Sequence, residues 1–113
     1  MNDVLKQISD TLEQRKGADP EQSYVASLHQ KGLNKILEKV GEEATEVILA
    51  AKDTERSGDR NELIAETADL WFHSMVMLSH LGSSAEEVIE KLRSRLNLSG
   101  LDEKSSRGNR TTN

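Results

Sequence analysis

Cysteine is absent from the 113-residue chain, and aromatic residues make up only 3% of it. Without cysteine, a disulfide framework and thiolate chemistry are both excluded. Proline occurs once, at Pro20, and no stretch alternates apolar and polar residues over the length of a strand. A chain so poor in helix breakers and in strand patterns is predicted to be all-α.

Long hydrophobic runs are missing as well. No apolar segment reaches the length that a membrane-spanning helix needs, and the N-terminus lacks the pattern of a signal peptide, so we expect a cytoplasmic protein. The net charge of -5 argues against binding to nucleic acid or to an anionic membrane. Any anionic ligand of so acidic a protein is expected to arrive with metal cations.

Apolar periodicity and capping signals predict a helical bundle of four to five helices. It forms a single domain over residues 1–101, followed by a polar, mobile tail over residues 102–113. The first predicted helix covers Asp3–Arg15, and a short second segment runs from an Asp19–Pro20 start to Leu28. The third covers Leu33–Thr54. The fourth runs from an Asp59–Glu62 capping box to Leu81, and the fifth from a Ser84–Glu87 capping box to Leu96. Gly58 and Gly82 suit the two helix ends that they follow.

Two of these helices carry acids beside strongly apolar faces. Glu43 and Glu46 lie one turn apart on the long central helix, and Glu66 and Asp69 lie one turn apart on the next, which is apolar around most of its circumference. Acids on so apolar a helix are expected to face a cleft towards the preceding helix. Clustered carboxylates repel one another unless a cation joins them, and oxygen ligands favour Mg²⁺ or Mn²⁺. A solvated acidic face is the alternative.

The spacing and the surrounding sequence resemble a known family. Glu-Glu-x-x-Glu, 19 residues and Glu-x-x-Asp are similar to the metal motif of the all-α nucleoside triphosphate pyrophosphohydrolases, the MazG-like superfamily. Three longer segments, KGLNKILEKVGEEATEVILAAK, ETADLWFH and LSGLDEKSSR, resemble the phosphoribosyl-ATP pyrophosphohydrolases of histidine biosynthesis. The resemblance implies an ATP-derived nucleotide substrate and metal-assisted hydrolysis of phosphoribosyl-ATP to phosphoribosyl-AMP and pyrophosphate. It also implies that Glu43, Glu46, Glu66 and Asp69 are catalytic metal ligands, with Glu42 a less certain one.

Three further residues are candidates for binding substrate. Lys39 lies one turn before Glu43 and Lys52 lies beyond Glu46, so both are candidates for the phosphates, although ion pairs with nearby acids are the alternative. His73 follows Asp69 by one turn on the same strip, where it would orient a carboxylate, contact substrate or make a structural hydrogen bond.

Other residues are assigned to the surface, the core or an interface. His29 and His80 belong to no constellation and are expected at the surface. Tyr24, Trp71 and Phe72 are expected in the core, with a dimer interface as a second role for Trp71 and stacking on adenine as a minor alternative. Since the fourth predicted segment has more apolar circumference than one subunit can cover, we expect a homodimer.

Two rival functions remain at the level of sequence. A housecleaning pyrophosphohydrolase acting on noncanonical nucleoside triphosphates would share every acid named above. A non-enzymatic oligomerisation or adaptor domain would have acidic faces without a specific divalent-metal site.

Overall fold

The computed structural model describes residues 2–96, and within that range all regular secondary structure is helical. The helices are α1 (Asn2–Lys16), α2 (Tyr24–Lys31), α3 (Leu33–Ser57), α4 (Asn61–His80) and α5 (Ala85–Leu96). The all-α prediction is confirmed. Residues 97–113, which include the proposed tail, lie outside the described residues, so the predicted domain boundary stays a prediction. Within residues 2–96 no helix combines the length and the hydropathy that crossing a bilayer requires.

Helix α3 ends at Ser57, three residues later than the predicted Thr54, and Gly58 follows it as predicted. Gly58 adopts the left-handed conformation, with φ of 80°, and its N–H donates to the carbonyl of Thr54 at 2.7 Å. Residues with a Cβ pay a steric cost in this conformation, whereas glycine does not. Gly58 therefore closes α3 and turns the chain towards α4.

The start of α2 differs from the prediction. Asp19 does not cap a helix that begins at Pro20; its carboxylate accepts from the N–H of Glu21 at 3.0 Å and forms a local turn. The cap of α2 is Ser23, whose hydroxyl accepts from the N–H of Ala26 at 3.1 Å. Two good capping residues stand four positions apart, and the one nearer the buried segment begins the helix.

The two predicted capping boxes also need correction. Arg60 occupies the N-cap of α4 without a side-chain bond, and the Asp59 carboxylate accepts from the N–H of Asn61 instead, so the Asp59–Glu62 box is wrong. At α5 the Ser84 hydroxyl accepts from the Glu87 N–H at 3.4 Å, as predicted. The second bond of a capping box, from the N–H of Ser84 to the carboxylate of Glu87, is absent. The Glu87 carboxylate instead accepts from the hydroxyl of Ser83.

The hydrophobic core lies where α1, α2 and α5 meet the beginning of α3 and the end of α4. Its buried members are Leu12, Val25, Leu28, Ile36, Met75, Val76 and Ala85, with Phe72 and Met77 packed against them. Complete burial of a valine or isoleucine side chain is worth about 1.5–3 kcal/mol. Tyr24 and Trp71, which were expected in this core, are 51% and 63% exposed, so that expectation is wrong for both.

Helices α3 and α4 form a hairpin that extends beyond this core. Because only residues 58–60 separate two long helices that pack closely on each other, they must run antiparallel. Leu37, Ile48, Ile64 and Trp71 remain exposed, so the apolar stripe predicted on α3 is only partly buried in one chain.

His29 and His80 are not isolated surface residues. Their Nδ1 atoms lie 2.8 Å apart, and the rings stack with centroids separated by 5.1 Å. The contact joins α2 to the end of α4, next to the α1 residues Lys16 and Glu13. The expectation that these histidines have no partners is therefore wrong.

Candidate active site

Three of the four acids singled out from the sequence meet between α3 and α4. Each of Glu43, Glu46 and Glu66 brings a carboxylate oxygen to within 4.8 Å of the others, and this is the one group of potential metal ligands found among residues 2–96. Glu43 and Glu46 are neighbours because they are three residues apart on α3. The antiparallel hairpin brings Glu66 of α4 opposite them.

The site leaves buried acceptors without donors. Glu43 is only 8% exposed, and Oε1 of Glu43 and Oε1 of Glu66 are both buried without a hydrogen-bond partner. Leaving a buried polar atom without a partner is unfavourable, and more so when the atom is charged. Unpaired carboxylate oxygens that converge on one point fit a hard divalent cation, which would supply the missing positive charge.

The electrostatics of Glu66 reflect the same crowding. Hydrogen bonding to the carboxyl of Glu62, then to that of Glu46, followed by burial, raises the pKa of Glu66 to about 7. Such bonds between carboxyl groups require a proton, since ionised carboxylates have no donor. When Glu66 loses that proton, its bonds to the neighbouring carboxyl groups are lost and the acids repel one another. A proton therefore satisfies this site at low pH, and a cation can do so at higher pH.

Asp69 and Glu42 stand outside the three-carboxylate group. Asp69 is exposed, one turn beyond Glu66 on the same strip of α4. Glu42 is exposed as well, and it pairs with Lys39 at 3.3 Å. Ligation by these two acids stays a prediction.

Lys39 and Lys52 both form ion pairs with nearby acids, which was the alternative prediction for each of them. Lys39 is partly covered beside Glu42 and Glu43. The hydrogen bond with Glu42 raises the pKa of Lys39. Lys52 pairs with Glu55 at 3.0 Å in a largely exposed position, about 180° around α3 from Glu43. Lys39 is therefore the better placed of the two for a ligand held by the acids.

His73 is buried, with both ring nitrogens in hydrogen bonds. Nδ1 lies 2.9 Å from the carbonyl oxygen of Asp69, and Nε2 lies 2.8 Å from the hydroxyl of Tyr24. The histidine is 6% exposed, which favours the structural hydrogen bond among its three predicted roles.

Two residues beside the site had been given other roles from the sequence. Glu62 had been assigned to a helix cap, but its carboxyl contacts Glu66; its position four residues before Glu66 was the available signal. Tyr24 had been assigned to the core, whereas it bonds His73 and stands half exposed. Forty-nine residues separate that pair, so no local pattern predicts the contact.

The chain is similar to a known family over most of its length. The family described as phosphoribosyl-ATP pyrophosphohydrolase matches residues 5–96, which include all five helices except the first turn of α1. The chain therefore belongs to this family, and it is a hydrolase, a phosphoribosyl-ATP diphosphatase, acting on a small-molecule nucleotide.

Proposed function

We propose that this member of the phosphoribosyl-ATP pyrophosphohydrolase family carries out its reaction at the carboxylates of Glu43, Glu46 and Glu66, with Asp69 completing the set. The observation that supports the proposal is the pair of buried, unpartnered oxygens on Glu43 and Glu66 within a group of three converging carboxylates. The reaction cleaves the bond between the α and β phosphates, yielding phosphoribosyl-AMP and pyrophosphate.

The ion that fits these oxygen ligands is Mg²⁺, with Mn²⁺ as the second choice. When bound, the metal supplies Lewis-acid chemistry, withdrawing charge from the phosphates and favouring attack by water. The chain's own contribution is to position the phosphates beside the acids. One carboxylate accepts the proton that the attacking water loses. Lys39 adds a positive charge at one end of the group, where it can contact a phosphate oxygen once it releases Glu42.

The direct test is an assay of purified protein with phosphoribosyl-ATP and Mg²⁺. We expect pyrophosphate as the phosphate product, complete loss of activity in excess EDTA, and a loss of at least about a hundredfold in Glu43→Gln or Glu46→Gln, the scale of a key electrostatic contact at the reacting group. Release of orthophosphate, or activity that survives EDTA, would contradict the proposal.

The family match sets aside a non-enzymatic adaptor role. A housecleaning activity on noncanonical nucleoside triphosphates remains the second candidate, since the same acids would serve it. A panel of substrates decides between them, and we expect the highest kcat/KM for phosphoribosyl-ATP. We also propose that the protein acts in the cytoplasm, as its lack of cysteine favours.

We further propose that two copies pair through one flank of the α3–α4 hairpin. On the helical wheel Ile48 lies about 140° from Glu43, while Ile64 and Trp71 lie about 140–160° from Glu66. These exposed apolar side chains therefore occupy one flank away from the acids, named here the apolar flank (Leu37, Ile48, Ile64 and Trp71). A second hairpin packed there would bury them and leave the acids open to substrate.

A further inference from the structure

Tyr24 contacts the strip of α4 that carries the acids, through His73, and its orientation is fixed by several contacts. It is the first residue of α2, and its ring stacks on Phe72 with centroids 6.1 Å apart. Its hydroxyl lies 2.8 Å from Nε2 of the buried His73, yet the residue is 51% exposed. An aromatic ring that is fixed by such contacts and remains partly exposed to solvent is suited to contact a ligand.

The hydrogen-bond chain determines what the Tyr24 oxygen can offer. The carbonyl of Asp69 can only accept, so Nδ1 of His73, 2.9 Å away, must carry the proton. When the imidazole is neutral, Nε2 holds a lone pair, and the Tyr24 hydroxyl donates to it. The phenolic oxygen consequently has no proton left for a ligand, but it retains lone pairs that can accept one. This arrangement is unfavourable for a phosphate oxygen and favourable for an O–H or N–H group.

The position of Tyr24 along the α3–α4 hairpin also points to the nucleoside part of a nucleotide rather than to its phosphates. His73 lies seven residues after Glu66 on the same strip of α4, which is about 10 Å further along the helix axis. Lys39 lies one turn before Glu43 on α3, and because α3 and α4 are antiparallel it is displaced from the acids towards His73. Along the α3–α4 hairpin the acids thus lie at one end, Lys39 in the middle and the Tyr24 ring at the other end.

We propose that Tyr24 binds the nucleoside part of the substrate, packing its exposed ring against the base or sugar and accepting a hydrogen bond from a sugar hydroxyl or an exocyclic amino group. The inference rests on the proposed function, because it takes the acid group as the place that holds the phosphates. Tyr24 then distinguishes a nucleotide from a bare chain of phosphates.

Calorimetric titration with two probes tests this without requiring turnover. The probes are the product phosphoribosyl-AMP, which carries the nucleoside, and inorganic tripolyphosphate, which lacks it, each in the presence of Mg²⁺. We expect Tyr24→Phe to weaken phosphoribosyl-AMP about fivefold, the scale of one lost hydrogen bond, and Tyr24→Ala to weaken it more. Tripolyphosphate should bind both variants as it binds the parent protein.

Equal weakening of both probes, or no weakening of phosphoribosyl-AMP, would overturn the proposal, as would a parent protein that does not bind phosphoribosyl-AMP. Tyr24→Phe keeps the ring on Phe72, so it provides a folded comparison if Tyr24→Ala is unstable. A merely structural tyrosine would lower the melting temperature without separating the two probes. A parent protein that binds phosphoribosyl-AMP with this selectivity but does not hydrolyse phosphoribosyl-ATP would contradict the proposed function alone.

Discussion

Glu66 is the residue at which the crowding of carboxyl groups in the site has its largest effect on a pKa. Its carboxyl is crowded by Glu62 and Glu46, which raise its pKa to about 7 from an ordinary value of 4.5. A carboxyl with a raised folded-state pKa binds its proton more tightly in the folded protein than in the unfolded chain. Without metal, ionising Glu66 therefore costs stability, and that loss develops as pH rises from about 4.5 to about 7.

Glu66→Gln should remove this loss. In EDTA, we expect the free energy of unfolding of the variant minus that of the parent to increase as pH rises from 4.5 to 7, because only the parent must ionise a crowded carboxyl. Urea unfolding at a series of pH values measures the difference. Glu55→Gln, at an exposed acid on α3, is the control and should give a flat difference. A flat difference for Glu66→Gln would contradict the account.

At the scale of helices, the His29–His80 contact joins α2 to α4. A hydrogen bond between two Nδ1 atoms needs one donor and one acceptor, so it is lost when both rings are protonated. Burial, then the charges of His80 and Lys16, lower the pKa of His29, while Glu13 opposes them. A histidine with a lowered folded-state pKa contributes stability that is present above its unfolded pKa and is lost as pH falls.

We expect the parent protein to lose stability relative to His29→Gln as pH falls from about 7.5 to below 6.5, the usual histidine pKa. The variant is expected to be less stable at pH 7.5, where it lacks the Nδ1 contact, but to change less with pH. Urea unfolding of both proteins in the same buffers gives the difference at each pH, and contributions from other groups such as Glu66 cancel. If the free energies of unfolding of the two proteins changed with pH in parallel, this contribution of the histidine pair to stability would be contradicted.

Local signals predicted the helices better than their contacts. Gly58 ends α3 because its conformation depends on the residue itself, so the sequence sufficed. Ser23 rather than Asp19 caps α2 because two local hydrogen-bonding options compete, and the packing of Val25 and Leu28 in the core favours the later start. The His29–His80 and Tyr24–His73 contacts join residues about fifty positions apart, which helical periodicity cannot predict.

The acids of the site were predictable for a different reason. Glu43 and Glu46, and likewise Glu66 and Asp69, stand at spacings that place neighbours on one helix face. The short turn after Gly58 makes the two helices antiparallel. Which oxygens actually converge depends on side-chain conformation, so the meeting of three carboxylates, with Asp69 outside that group, had to come from the structure.

The whole molecule has an exposed apolar flank that we propose is covered by a second copy. Ile48→Glu should weaken or abolish the dimer, because it would bury a charge against apolar side chains. Sedimentation velocity at micromolar concentration measures the state of the parent and the variant. Val4→Glu makes the same change at an exposed apolar residue of α1 and should leave the dimer intact. A monomeric parent, or equal effects of both substitutions, would contradict the proposed interface.

We propose that Glu43, Glu46 and Glu66 together hold a divalent cation, and thermal melting over a range of Mg²⁺ concentrations is the decisive test. The parent should be stabilised by about 2.7 kcal/mol at a hundred times the dissociation constant of one site, and more than by NaCl of equal ionic strength. Glu46→Gln and Glu66→Gln should gain much less, while Glu55→Gln should gain as much as the parent. Parallel stabilisation of all four proteins, or an equal effect of NaCl, would contradict the claim.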